Sequence, residues 1–243
     1  MLFTAAGFIT GNWSRVFGLL IVIVCLASPP IPSRQISPKQ PQSISINRES
    51  HRSDAFEVSF DRPFLSNKMA DKRLNAWITE IVDDFSTESI ANVAPGSMPN
   101  TLEGRITRQI SRHPFLSLKF YIAENRGGAD PDTCIETFVF DMETGHCLGL
   151  TDLFARPGKA LELISTTAIQ KLEDPSGHDQ SPMARDRLLP AEQNFQYFSL
   201  DRNGITFFFP VYQTGARALG EQRVTIPYAR LNQWMVAGIK DKL

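Results

Sequence analysis

Histidine and cysteine are scarce in this chain, at four and three residues in 243. His51, His113, His146 and His178 stand far apart, with neither a His-Glu-x-x-His helix nor a Cys/His cluster, so no zinc or other metal site is expected. An excess of one charge is missing as well. Lys and Arg total 25 against 26 Asp and Glu, which excludes the basic stripe that nucleic acid requires and makes polyanions poor partners. No Gly-x-Ser-x-Gly elbow, Walker-type loop or Gly-x-Gly-x-x-Gly fingerprint is present, and hydrolase, nucleotide-binding and dehydrogenase readings lose their usual support. No cofactor is implied. What the chain does have is 42% hydrophobic residues and 17 Phe, enough apolar volume for a real core.

Only one long apolar run occurs. Residues 16–27 (VFGLLIVIVCLA) follow Arg15 and stop at Ser28-Pro29-Pro30. The run has the length of a signal-peptide core and falls short of the roughly 20 residues a membrane helix needs. Residues 1–27 therefore read as a signal peptide, with Cys25-Leu26-Ala27 as an imperfect cleavage site, or as a signal anchor if uncleaved. Membrane contact is then confined to this segment, and the rest is exported to the periplasm or the extracytoplasmic face of the membrane. A lipoprotein reading of Cys25 conflicts with the bulky Val24 before it. Residues 28–54 are rich in Pro, Ser, Gln and Arg without apolar periodicity, and read as a disordered spacer.

Residues 55–243 read as a single α+β domain. Alternation in 56–60 predicts a strand that Pro63 ends. Leu74, Trp77, Ile78, Ile81, Val82 and Phe85 form the buried stripe of a helix over 69–85. After a loop with Pro95-Gly96 and Pro99-Asn100, residues 115–122 alternate as a half-buried strand. A hairpin follows, 133–140 with 146–150, turning through residues 142–145. A second helix begins near Pro157 and carries Leu161, Ile164, Ala168, Ile169 and Leu172, and 174–187 is a polar loop. The second hairpin, 195–200 with 205–211, turns at Asn203-Gly204. A strand at 223–226 and a C-terminal helix from Pro227, carrying Leu231, Trp234, Met235 and Ile239, complete the chain. The expected architecture is an antiparallel sheet built from hairpins and packed against two to three helices.

Hairpin register addresses the cysteines. A turn at Glu143-Thr144 sets Cys147 beside Phe140 and leaves Cys134 six residues along, roughly 20 Å away. A disulfide needs Cα atoms within about 7 Å, so two buried free thiols are expected. Asp130 and Asp132 form a short acidic loop able to hold a calcium ion or sugar hydroxyls, or simply a solvated turn. Asp141, Glu143 and Asp152 fit turn and capping roles. The aromatics Phe195, Tyr197, Phe198, Phe207, Phe208, Phe209 and Tyr212 make both faces of the second hairpin apolar. Each face must be covered by a helix or a partner, so one face is a candidate binding platform.

Two blocks resemble a known family: residues 138–154 (FVFDMETGHCLGLTDLF), and the order Gly204-Ile205-Thr206-Phe207-Phe208-Phe209, Tyr212, Gly220, Val224-Thr225-Ile226-Pro227-Tyr228, Leu231. The chain is similar to the RsiV-type extracellular domain of lysozyme-sensing anti-sigma factors, also attached to some peptidoglycan deacetylases. That resemblance implies a binding domain whose ligand contacts fall at Gly127, Gly128, Asp130, Tyr212 and Gly220. Two departures stand out: Asp130 replaces the histidine of the family's Gly-Gly-Ala-His loop, and the aromatic between Tyr212 and Gly220 is absent. Only about fifteen residues precede the apolar segment, so neither a sigma-binding region nor a deacetylase domain is expected. The expectation is an exported, non-catalytic envelope domain that binds a lysozyme-like protein or a peptidoglycan fragment. Its rivals are an envelope hydrolase acting on peptidoglycan or another polysaccharide through Asp130, Asp132 or Asp141 with His146, and a structural assembly component.

Overall fold

A computed structural model of the chain describes residues 44–94, 96–172, 186–211, 213–214 and 220–243. The apolar segment, most of the spacer and Tyr212 lie outside the described residues. No helix among the described residues is long and apolar enough to cross a membrane.

Five strands form the first sheet, in chain order: β1 Ser45–Arg52, β2 Phe56–Phe64, β3 Asn100–Arg112, β4 Phe115–Asn125 and β5 Asp132–Asp141. Helix α1, Lys68–Asn92, crosses over between β2 and β3, which therefore pair in parallel; the other pairings of this sheet are antiparallel. A second, antiparallel sheet comprises β6 Phe198–Leu200, β7 Gly204–Phe209 and β8 Gln222–Pro227. Helix α2, Pro157–Leu172, and two short helices, α3 Tyr228–Leu231 and α4 Ala237–Lys240, complete the described elements together with two 3-10 turns. The class is α+β as expected, with two sheets in place of one and a parallel pair that hairpins alone do not supply.

Several boundaries depart from the sequence reading. Ser45–Arg52, assigned there to the disordered spacer, is an edge strand paired along its length with β2. Seven of its eight residues are exposed, so it has no buried face to impose alternation. Pro63 does not end β2, which runs on to Phe64 at this side of the sheet. Strand β3 went unread because only Leu102, Ile106 and Ile110 are large and apolar in its thirteen residues. Gly104 interrupts the pattern for a steric reason: a Cβ there would overlap the Phe60 ring. A bulge between Ile106 and Arg108 then shifts the register, so that Ile106 opposes Phe120 while Arg108 opposes Lys119. Bulges re-aim side chains in this way.

Helix α1 begins at Asn67, whose Oδ1 accepts hydrogen bonds from the amides of Met69 and Ala70 (2.9 and 3.2 Å), the expected use of Asn at an N-cap. Its stripe of Ala70, Leu74, Ile78 and Phe85 packs with Val58, Phe60, Leu102, Leu116, Leu118, Phe120, Phe138 and Phe140 of the sheet. Trp77 belongs to this core, edge-on to Phe60, Phe120 and Phe138. The opposite face of β4 and β5 carries Phe115 and Val139 into a second core with α2, β6, β7 and β8. Strand β4 is thus buried on both faces from Phe115 to Phe120, not half-buried.

Polar groups join the layers. Ser117 Oγ and Thr137 Oγ1 accept hydrogen bonds from the amides of Leu200 and Phe198 (3.0 and 3.1 Å), satisfying the outer edge of β6. Asp201 accepts from Arg108 at 2.6 Å, Thr206 at 2.6 Å and Ser199 at 2.7 Å. Lys119 pairs with Glu221 and lies over the Phe208 ring, 4.9 Å from its centre. Both faces of the second hairpin are covered within the domain itself, and Phe195, Phe198, Phe207, Phe208 and Phe209 are all buried. The aromatic binding platform expected from sequence does not exist at these residues.

The first hairpin is half realised. Phe140 opposes Cys147 as the register predicted, but only as a single bridge, and no strand forms over 146–150. Both cysteines among the described residues are free; Cys147 is half-buried and Cys134, contrary to expectation, is exposed. Pro227 closes β8 and precedes α3, and the C-terminal helix is split into two, with Met235 bridged to Phe154 between them.

Candidate functional site

Three connections meet at one end of the five-stranded sheet, because β1 and β4 finish there while β2, β3 and β5 start there. They are the β1–β2 turn (53–55), the α1–β3 loop (93–99) and the β4–β5 loop (126–131). Loops on a rigid scaffold are the usual carriers of binding, and each of these is tied to it. Asn100 is buried; its amide donates to Ala55 O at 3.0 Å and its Nδ2 to Ser89 Oγ at 3.1 Å. One residue thereby fastens the β1–β2 turn and the end of α1 to the start of β3.

Arg126 does the same for the β4–β5 loop. Its guanidinium pairs with Glu88 of α1 at 2.7 Å and with Glu124, and lies over the Phe85 ring. Beyond it, the Gly127 amide donates to Asn125 Oδ1 at 2.8 Å, with φ at +90°, a backbone conformation natural to glycine. Between this loop and the 93–99 loop opens a cleft of ≈ 690 Å³, walled by Asn92, Ser97, Asn125, Arg126, Gly127 and Gly128 among others. Against the same 93–99 loop, a second recess of ≈ 630 Å³ reaches Arg52, Ser53 and Asp54. The walls combine Arg52, Asp54 and Arg126 with side-chain amides, hydroxyls, Val93, Ala94, Met98 and Pro99, a mixture suited to a polar ligand.

Of the residues implied by the family resemblance, Gly127 and Gly128 line the main cleft and Asp130 belongs to the same exposed loop. Gly220 stands elsewhere. It precedes Glu221, whose carboxylate holds Lys119 at 2.6 Å, and Lys119 lies six positions from Asn125, roughly 20 Å along β4. Sequence reasoning missed Asn92, Ser97, Asn100 and Arg126. The Pro95-Gly96 and Pro99-Asn100 pairs signalled a loop there, but nothing local announced what it would face.

Of the aspartates in the competing hydrolytic reading, only Asp141 has His146 beside it, its amide donating to the His146 carbonyl at 2.9 Å. Asp132 and Asp141 occupy opposite ends of β5, nine residues and roughly 30 Å apart. Asp141 instead caps its turn, Oδ1 accepting from the amides of Glu143 and Thr144 (2.9 and 3.4 Å), while Lys242 approaches Oδ2 at 3.2 Å. Burial alone would raise the Asp141 carboxyl, but the Glu143 amide and the Lys242 ammonium outweigh it and hold the group below its ordinary range. Asp152 accepts from the Gly149 amide at 2.8 Å, and Glu143 pairs with Lys242 at 3.0 Å. Burial pushes the Cys147 thiol up, opposite to the shift that activates a nucleophilic cysteine.

Comparison with known proteins agrees with this architecture. Residues 151–229 match the profile of a family described as "Protein of unknown function (DUF3298)". Over 192 residues the chain is 23% identical to the peptidoglycan-N-acetylmuramic acid deacetylase PdaC of Bacillus subtilis, covering 77% of this chain and 40% of that protein. The chain thus spans well under half the length of this relative. Two crystal structures share the fold. A DUF3298 family protein from Pseudomonas aeruginosa superposes with a TM-score of 0.59 at 13% identity, covering 82% of this chain and 97% of its own. A member from Bacteroides fragilis gives 0.55 at 16%, covering 82% and 96%. The described domain accordingly has the α+β fold of solved DUF3298 proteins, and its second half carries that family's sequence pattern.

Proposed function

We propose that this is an exported, non-catalytic domain of the cell envelope that binds cell-wall glycan at the loop end of its five-stranded sheet. The observation that carries the reading is the convergence of three anchored loops around a cleft of amides and hydroxyls whose arginine is already neutralised by two glutamates. Sugars offer hydroxyls, acetamido groups and apolar C–H faces, and such a wall can answer each of them. The similarity to a peptidoglycan deacetylase supports a wall glycan as the ligand, and the apolar segment at residues 16–27 supports export. That the Asp141 carboxylate, the one beside His146, is occupied by its own turn amides and Lys242 supports binding over hydrolysis.

The test is calorimetric titration of the purified chain with solubilised N-acetylated peptidoglycan strands, and separately with lysozyme. Saturable heat with the strands, weakened by substitution of Asn92 or Asn125, is the expected result. Binding to lysozyme alone would transfer the site to a protein ligand of the kind the RsiV resemblance implies. Flat titrations with both would overturn the reading.

A further inference from the structure

We infer that the loop end accommodates an extended chain of N-acetylated sugars rather than a single sugar, an inference that rests on the glycan-binding reading above. A third recess, of ≈ 420 Å³, continues from Arg52 onto the solvent face of β1, β2 and β3 beside Arg48, Ser50, Ser59 and Glu103. The three recesses share lining residues. Val93, Ala94, Ser97 and Pro99 wall both the first and the second; Arg52 belongs to the second and third; Thr101 borders the first and third. From the β1–β2 turn to the β4–β5 loop the trough crosses three strand spacings, roughly 15 Å, which exceeds one pyranose ring.

Charge along the trough points the same way. Arg48 is bound by Asp61 at 2.8 Å and Glu103 at 2.7 Å, Arg52 by Glu57 at 2.8 Å, and Arg126 by Glu88 and Glu124. Every arginine lining the recesses therefore has a carboxylate partner within the protein. A ligand held by its charge would have to displace those partners, whereas the hydroxyls and acetamides of a wall glycan leave them in place. Because each recess is shallow and its groups are dispersed, affinity must accumulate along the ligand: each sugar that reaches the next recess adds contacts without a second association step.

Titrating the full chain with β-linked N-acetylglucosamine oligomers from monomer to hexamer tests this. The expected result is at least a tenfold fall in Kd between dimer and hexamer. Asn92→Ala in the first recess and Asp54→Ala in the second should each weaken hexamer binding severalfold and flatten the length dependence. Both residues are exposed, and unchanged melting temperatures would show that the variants fold. If the dimer binds as tightly as the hexamer, and both variants act equally on all lengths, the site is a single pocket: the extended-chain inference falls while the glycan reading stands. If no oligomer of any length binds, the glycan reading falls and takes this inference with it.

Discussion

The two regions that drew attention in the sequence have exchanged roles in the structure. The hairpin of β6 and β7, dense in phenylalanine, is closed on both faces, with Phe207 and Phe209 at 0% exposure and Phe208 at 3%. The Gly127-Gly128 loop, with no aromatic at all, stands at the open end of the other sheet against a polar cleft. Aromatic density marked where the chain buries itself, because large apolar area is most stabilising when removed from water altogether. The exposed end carries amides, hydroxyls and matched charges, which remain stable in water and free to exchange it for a ligand.

Substitution should separate the two regions by the kind of damage. Phe207→Ala removes a fully buried ring that touches Phe195 and Phe198, and should cost about 3–5 kcal/mol in chemical denaturation. Gly104→Ala comes next. A Cβ overlapping Phe60 forces that ring out of its place, with an expected cost of about 1–3 kcal/mol. A loss of binding in either variant without a comparable loss of stability would contradict the division drawn between core and site.

The largest periodic features were legible from sequence because their cause is local. Leu74, Ile78 and Phe85 repeat at helical spacing since one face of α1 meets a sheet; the hairpin of β6 and β7 was legible too, although Gly204 opens β7 against Pro227 instead of forming the turn. The Phe140–Cys147 pairing followed from turn length alone. What escaped reading depends on distant partners. Strand β1 is held by backbone bonds to β2 and has no apolar face of its own. Strand β3 changes face at a bulge, and no pattern within 100–112 announces that Arg108 must reach Asp201, 93 residues away. The cleft was hidden for the same reason: Asn100 and Arg126 acquire their meaning from Ala55, Ser89 and Glu88. Gly127 and Gly128 read locally only as a loop, and their place as contacts came from the family resemblance alone.

A smaller effect belongs to the end of β5 remote from the cleft. The folded-state pKa of Asp141 lies below its ordinary value, so its stabilisation is present above the unfolded-state pKa, about 3.9, and disappears as pH falls through the folded-state value. Asp141→Asn should flatten the acid limb of the stability–pH curve below about pH 4. Binding at the loop end should be unmoved. An acid limb unchanged in the variant would show that the Glu143 amide and Lys242 do not hold the carboxylate as described.

Arg126→Ala sharpens the comparison most because its two consequences should diverge. The guanidinium is 39% exposed and its partners Glu88 and Glu124 are 57% and 33% exposed, so solvent screening limits its stability contribution to within about 1 kcal/mol. Yet it is the tie that holds the β4–β5 loop to α1, and with it the separation of Gly127 and Gly128 from Asn92. Truncation frees that wall of the cleft, and the ligand must then supply the ordering that Arg126 supplied in advance. Glycan affinity should fall severalfold with the melting temperature nearly unchanged, and Arg126→Lys, which keeps a charge but not two donors in a fixed fork, should recover only part of it. Full affinity in Arg126→Ala would mean that the ligand does not use the Gly127-Gly128 wall, and would move the site toward Arg52 and the outer face of β1.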